Sequence, residues 1–231
     1  MVNSLTELDR ERIAAAVEQA EAGTSGEIVC AITGEVSRYR EVPIAWATAI
    51  ALGLPPFAAA LGLKPLALAF AVSPWIAAQA SAVQAELALA IWGYATAQIT
   101  LFVLVAIIVA TPAVRRLATP RVLKRHRVEH AARHQFAAIA AHATDSDTGV
   151  LIFVAVIDRQ VQILADAAIH AKCGEQPWKE AAGAIVAAMK SGRDPTAGIV
   201  RAVEICGAAL EAHFPADTPP DHRFAAGPVE V

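Results

Sequence analysis

The chain has 231 residues, of which 56% are hydrophobic and 18% charged, and a formal net charge of -3. Soluble proteins average roughly 45–50% apolar and 25% charged residues, so this composition argues against an entirely soluble chain. The near-neutral charge gives no general case for nucleic-acid binding. Between Pro43 and Val114 the only charged residues are Lys64 and Glu86, which indicates a membrane block inside a globular sequence.

The chain opens with a predicted amphipathic helix and a short strand. Residues 5–22 place apolar side chains near helical spacing, and either Ser4 or Thr6 can cap this helix. Thr6 with Asp9 matches a capping box. Glycines end this helix at positions 23 and 26. The segment Glu27–Thr33 (EIVCAIT) is rich in β-branched residues and predicts a strand.

Two stretches of the membrane block are long enough to cross a bilayer, which takes about 20 apolar residues. They are residues 43–63, which contain the pair Pro55-Pro56, and residues 87–111. The apolar segment 65–80 between them is short and is broken by Pro74. The sequence leaves open whether that segment crosses the membrane or lies at its surface.

Basic residues predict the orientation of the two spans. Between Arg115 and Arg133 there are seven Lys or Arg residues and one acid, and Arg38 and Arg40 precede the first span. Cytoplasmic loops carry such an excess of Lys and Arg. We therefore predict a multi-pass protein of the cell inner membrane with both flanks, and hence its soluble domain, on the cytoplasmic side.

The second flank is predicted to contain a helix at 120–142, two strands and three further helices. Gly149–Ile157 predicts a strand buried on both faces, and Gln160–Ala165 predicts the strand that pairs with it after a turn at Asp158-Arg159. The helices are expected at 166–173, 177–190 and 195–213.

Neither flank is sufficient for a stable domain, because an isolated strand leaves its edges unpaired. Joined, the flanks give one α/β domain. We predict an α/β sandwich that is split in sequence by an inserted transmembrane α-helical hairpin. The expected parts are residues 1–42 and 115–214 for the cytoplasmic domain, 43–114 for the insertion, and 215–231 for a disordered tail rich in Pro, Asp and Gly.

Three segments resemble motifs of the TPM domain family, found in thylakoid photosystem-repair proteins and in many bacterial membrane proteins. They are Thr24–Val29 (TSGEIV), Asp147–Val154 (DTGVLIFV) and Asp158–Asp166 (DRQVQILAD). The resemblance implies an α/β sandwich. Some members of the family are linked to phosphatase activity, and others to assembly or repair of membrane complexes.

The chain departs from that family's pattern in the segments that would form a site. A basic residue is usual where Asp147 stands, and a glycine usually follows the hairpin aspartate where this chain has Ala167-Ala168. Glutamate is frequent where Asp158 and Gln162 stand. These departures count against an active site there.

Glu27, Asp147 and Asp166 are the candidate metal ligands, because all three stand at predicted strand ends. Clustered carboxylates bind Mg²⁺ or Ca²⁺, and such a cation assists phosphoryl hydrolysis. The alternative is that they cap backbone amides at turns and helix starts, which is the common use of Asp at such positions.

A second candidate is the histidine stripe, His126, His130 and His134. Spacing by four places the three imidazoles on one helix face, and a pair at that spacing chelates zinc. No further ligand is evident for a closed site. The alternative is an exposed face near acidic lipid headgroups.

The leading hypothesis is a membrane-anchored accessory or interaction module for membrane-protein assembly or maintenance. Its expected partners are the lipid bilayer and an unidentified membrane protein, without nucleic acid, and self-association stays open. The alternative is a metal-dependent phosphatase-type hydrolase that uses Glu27, Asp147 and Asp166 to hold a divalent cation, Ca²⁺ or Mg²⁺. No catalytic residue is assigned.

Overall fold

A computed structural model describes residues 6–37, 39–61, 82–140, 149–191, 194–216 and 228–230. The helices of this part are α1 Glu7–Glu21, α2 Glu41–Ala60, α3 Ala82–Ala110, α4 Pro112–Ala118, α5 Arg121–Ala140, α6 Ala167–Cys173, α7 Gln176–Lys190 and α8 Pro195–His213. The strands are β1 Glu27–Thr33, β2 Gly149–Ala155, β3 Gln160–Ala165 and β4 Val229–Glu230. The segment 65–80, whose crossing the sequence left open, lies outside the described residues.

The predicted fold class, an α/β sandwich split by a transmembrane hairpin, was wrong. The structure is mostly helical, and its sheet is small and mixed. The physical reason is that β-branched runs bounded by turn residues occur in three short segments, and most of the remaining apolar sequence has helical length and composition. The sheet is therefore a minor part of the chain.

The chain divides into two compact units. Unit 1 combines Met1–Ser37 with Arg121–Val231, and unit 2 is Arg38–Pro120. Unit 1 is thus assembled from both ends of the chain, and unit 2 is inserted between its first and second parts.

The sheet of unit 1 has the order β3-β2-β1-β4. β1 and β2 are parallel, with Glu27 opposite Gly149, whereas β2 and β3 are antiparallel, with Val150 opposite Ala165. Parallel neighbours require a crossover connection, and here that connection contains all of unit 2 and α5. In the predicted tail, β4 pairs with β1 beside Ala31, and residues 217–227 lie outside the described part.

Both faces of β2 are buried, as its continuous apolar sequence predicted, and that prediction is confirmed. On one face the sheet packs against α1, α7 and α8, with Ile152 in this cluster. On the other face Leu151 and Phe153 pack against Val128 and Ala132 of α5. This division follows from the alternation of successive side chains along a strand.

Side-chain hydrogen bonds fix both ends of α1. The predicted capping box is confirmed, because the Thr6 hydroxyl accepts from the Asp9 amide and the Asp9 carboxylate accepts from the Thr6 amide. At the other end the buried Glu21 carboxylate accepts from the Ile28 amide at 2.7 Å. The end of α1 is thereby tied to the start of β1.

The contact between α1 and α8 depends on a glycine. A Cβ atom added at Gly207 would lie 2.6 Å from the Cβ of Ala20 and 3.2 Å from its Cα. We therefore expect Gly207→Ala to lower the free energy of unfolding by about 1–3 kcal/mol, the usual cost of overpacking. Urea unfolding followed by circular dichroism measures this change.

The matched control for that substitution is Gly183→Ala in α7, where an added Cβ meets nothing within 4 Å. Here alanine is expected to stabilise the protein by up to about 1 kcal/mol through its higher helix propensity. Equal effects of Gly207→Ala and Gly183→Ala would contradict the close packing of α1 on α8.

In unit 2, α2 and α3 pack against each other and leave large apolar side chains exposed, including Phe57, Ile99 and Ile107. The windows Glu41–Ala58 and Ile91–Ala110 are long and apolar enough to cross a membrane. Only 28% and 11% of these windows are buried, so neither has the burial expected of a soluble core helix. The prediction of two helices that are long and apolar enough to cross a membrane is therefore confirmed by length and composition.

Candidate functional site

Two of the three predicted metal ligands lie at the same end of the sheet. Glu27 is directly opposite Gly149 in the β1–β2 register. The Asp166 Oδ2 atom accepts a hydrogen bond from the Gly149 amide at 2.6 Å, and the Asp166 amide donates to the Gly149 carbonyl at 3.1 Å. Glu27 and Asp166 therefore flank Gly149. Asp147 lies outside the described residues.

The Asp166 carboxylate has an evident structural use. Asp166 is the N-cap residue of α6, but its side chain makes no capping bond to that helix. It binds the first amide of β2 instead, and so joins the end of β3 to the start of β2. Gly149 allows this approach, since an added Cβ would lie only 3.3 Å from Asp166 Oδ2.

We expect Asp166→Ala to lower the free energy of unfolding by about 1–3 kcal/mol, because the partly buried Gly149 amide would lose its acceptor. Chemical denaturation measures the loss. Asp166→Asn is the matched control, since an amide oxygen still accepts a hydrogen bond. If Asp166→Asn lowers the free energy of unfolding as much as Asp166→Ala does, the negative charge of Asp166 stabilises the fold and its hydrogen bond does not.

The described residues do not complete a metal site at this end of the sheet. Within that part of the chain, no three His, Cys, Asp or Glu side chains are placed to share an ion. Calcium takes six to eight oxygen ligands, and magnesium demands a near-ideal octahedron. Glu27 also has an interaction of its own. Glu27 and Asp166 thus form a pair of acids at this end of the sheet, and no chemical step is assigned to them.

The three histidines of the stripe lie on α5 as the spacing predicted, and all three are exposed. Val128 and Ala132 of the same helix are buried against the sheet. The imidazoles of His126, His130 and His134 therefore line the outward side of α5. Within the described residues they belong to no cluster of three metal-ligating side chains.

The opposite end of the sheet holds one buried acid, Asp158. Asp158, 5% exposed, accepts from the Val36 amide at 3.4 Å. The Arg127 guanidinium donates to the Ser37 hydroxyl at 2.8 Å, which attaches α5 to the segment after β1. Asp158 was predicted as part of a turn, and the turn is present with Arg159 at a φ of 51°.

Sequence reasoning missed one buried acid, Glu21. Its position was detectable, because Ile13, Val17 and Glu21 are spaced by four and share the core-facing side of α1. A carboxylate on that stripe predicts a buried acceptor, and the structure supplies its donor in the Ile28 amide.

The cysteine thiols are not poised as nucleophiles. Burial raises the pKa of Cys30 to about 12, with smaller contributions from Cys206 and Glu21, and burial raises the pKa of Cys206 to about 12. Burial also raises the pKa of Cys173, against a lowering effect of Lys172. Reactive cysteines have a lowered pKa, so the raised pKa of these thiols indicates that they pack in the core and do not act as nucleophiles.

Comparison with known proteins gives a similarity of fold. No family model and no curated protein matches the chain. A solved structure does, the NMR structure of BA42 protein from the psychrophilic bacterium Bizionia argentinensis, with a TM-score of 0.54 and 17% sequence identity. The match covers 100% of this chain and 99% of that chain. At this identity the likeness shows that the two proteins are similar in fold.

Proposed function

We propose that this chain is a membrane-anchored TPM-domain protein that serves as an accessory or interaction module in the assembly or maintenance of membrane proteins. The proposal places it in the cell inner membrane as a multi-pass protein, with unit 1 on the cytoplasmic side. The observation that carries it is the insertion of two exposed apolar helices, α2 and α3, into the sequence of unit 1.

The exposed side chains of unit 2 support the membrane part of this proposal. Ile44, Leu52, Phe57, Ile99 and Ile107 are each at least 59% exposed. Large contiguous apolar surfaces on a folded protein mark membrane or protein contacts. Each such side chain contributes about 1.5–3 kcal/mol when it leaves water, so a bilayer around α2 and α3 would stabilise unit 2 substantially.

The orientation rests on charge. Basic side chains follow α3 and precede α2, and the positive-inside rule assigns such flanks to the cytoplasm. With both flanks on one side, the number of crossings is even, and the part of the chain that the structure describes contains two candidate helices. The family assignment rests on the three motifs, of which the first spans the start of β1 and the third contains part of the turn after β2 and all of β3.

A binding role is favoured over hydrolysis because one candidate ligand already has a structural use and the buried thiols are not activated. The Asp166 carboxylate holds the Gly149 amide, and burial keeps the thiols of Cys30 and Cys206 protonated at neutral pH. The alternative, a metal-dependent phosphatase-type hydrolase, is supported by the convergence of Glu27 and Asp166. It predicts hydrolysis of a phosphate monoester that requires Mg²⁺ or Ca²⁺ and is lost in Asp166→Asn.

Membrane retention tests the first part of the proposal. The chain is expected to stay in the membrane pellet after alkaline carbonate extraction. Leu104→Arg in α3 is expected to increase the fraction of the chain that is released, because an arginine at the centre of a span costs about 3 kcal/mol. The matched control is Leu8→Arg in α1, an equally exposed leucine of unit 1 (56% against 52%). Release of the unaltered chain would overturn the membrane assignment.

The orientation and the partner need separate measurements. A cysteine introduced at exposed Ala208, in a Cys173→Ser background, is expected to react with an impermeant maleimide in inverted membrane vesicles and not in intact cells.

Affinity purification in mild detergent is expected to recover one membrane protein at near-equal amounts. Recovery of none, under conditions that preserve unit 1, would overturn the accessory role.

A further inference from the structure

The outward side of α5 is an exposed surface that does not pack against the sheet. Its core side is filled by Val128 and Ala132. Its outward side carries the exposed imidazoles of His126, His130 and His134. We call this side, with its flanking cations, the imidazole face.

The charges around the imidazole face are predominantly positive. α5 carries one acid, Glu129, which is paired with Arg133 at 2.7 Å. Its strand partners β2 and β3 contain no titratable side chain. An apolar side chain, Val122, is 80% exposed near the start of the helix. The cations of α5 are Arg121, Lys124, Arg125, Arg127 and Arg133.

We propose that the imidazole face binds the anionic headgroups of a lipid bilayer and binds them more tightly as its histidines gain protons. A protonated imidazole is a cation and a neutral one is not, so protonation adds positive charge to a face that is already basic. One basic residue near an anionic leaflet favours the bound state by about fivefold. Val122 is suited to insertion between headgroups.

A lipid surface is the favoured partner because of the chain's connectivity and charge. α5 begins at Arg121, shortly after α3 and α4 end at Ala110 and Ala118. If α3 spans a bilayer, as proposed above and as this inference requires, the tether gives the start of α5 a high effective concentration at the membrane surface. The net charge of -3 gives the whole chain no comparable attraction to nucleic acid.

The test uses the full chain reconstituted in lipid nanodiscs. A bimane fluorophore is attached at Ala137→Cys, an exposed position on the imidazole face, in a Cys173→Ser background. Lipids with a quencher on the headgroup report its proximity to the surface. We expect several-fold stronger quenching when phosphatidylglycerol replaces part of the phosphatidylcholine, and stronger quenching at about pH 5.5 than at about pH 7.5.

Variants separate the contributions of the histidines and of general charge. The triple variant H126Q/H130Q/H134Q is expected to lose the pH dependence and keep part of the lipid-charge dependence. K179Q/R201Q, which removes two exposed cations from α7 and α8 on the other side of the sheet, is expected to change neither. A probe at Ala208→Cys on α8 is expected to be insensitive to lipid charge.

The outcomes distinguish this inference from the proposed function. A probe at Ile107→Cys in α3 that is not reached by quenchers on the acyl chains would overturn the membrane assignment itself. If the probe at position 107 is quenched but the Ala137→Cys probe responds neither to lipid charge nor to pH, the membrane assignment stands and the proposed lipid binding by the imidazole face is overturned. A response of that probe to single-stranded RNA, and not to phosphatidylglycerol, would also overturn it.

Discussion

Replacing Phe153 by alanine is expected to lower the free energy of unfolding of unit 1 by about 3–5 kcal/mol, the usual cost of removing a buried phenylalanine. Phe153 is 2% exposed and is the largest of the buried side chains in the cluster between the sheet and α5. Its fully buried neighbours on that face include the small residues Ala31, Ala132 and Ala155. Small side chains do not fill the space that a lost ring leaves, so the cavity persists.

The expected loss is specific to the attachment of α5. In Phe153→Ala, amide hydrogen exchange is expected to accelerate in α5 more than in α8, which packs on the other face. The matched control is Phe153→Leu, which keeps most of the apolar volume and is therefore expected to cost less than Phe153→Ala. A loss below 1 kcal/mol in Phe153→Ala would show that α5 does not rest on this face of the sheet.

The elements predicted best from the sequence are those whose causes are local. Thr6 and Asp9 form the predicted capping box because both partners lie within one helical turn. Gly149–Ala155 forms a strand buried on both faces because its run has no polar side chain to expose. The β2–β3 hairpin follows from its alternating second strand and from the turn at Asp158-Arg159.

The fold class was not predictable in the same way, because it depends on how much of the chain each kind of element occupies. Three strand signals with flanking helices predicted an α/β sandwich, whereas the structure is mostly helical with a small mixed sheet. The prediction of the fold class relied mainly on the three motifs, and these lie in short segments of the chain. The long helices α2, α3 and α5, which determine the overall class, carry none of those motifs.

The candidate site shows a second kind of limit. Strand-end positions correctly indicated that Glu27 and Asp166 lie at one end of the sheet, because both follow from the pairing of β1, β2 and β3. What Asp166 does there depends on the Gly149 amide, 17 residues away in sequence. No local pattern encodes that contact. The carboxylate was predicted as a metal ligand or, alternatively, as an acceptor for backbone amides, and what the sequence did not indicate was that Gly149 supplies the amide. The value of Asp166 as a metal ligand stays a prediction.

The stability of unit 1 is expected to fall steeply above about pH 9 because of Cys30 and Cys206. Burial raises the pKa of both thiols to about 12 from the ordinary value of 9.0. Below the ordinary value both the folded and the unfolded chain keep these protons, and the stability they contribute is fully present. Above it the unfolded chain releases them first, so unfolding is favoured by about 1.4 kcal/mol per pH unit for each thiol.

For the two thiols together the expected slope is therefore about 2.7 kcal/mol per pH unit, and it persists until the folded thiols ionise near pH 12. Chemical denaturation at a series of alkaline pH values measures it. Lysine and tyrosine also titrate in this range, but they do so equally in the double variant Cys30→Ala/Cys206→Ala. The difference between the slopes of the two proteins isolates the thiols and removes the constant cost of truncating the side chains. Parallel slopes would mean that water reaches Cys30 and Cys206 in the folded state, and that the core joining β1 to α8 is looser than their burial indicates.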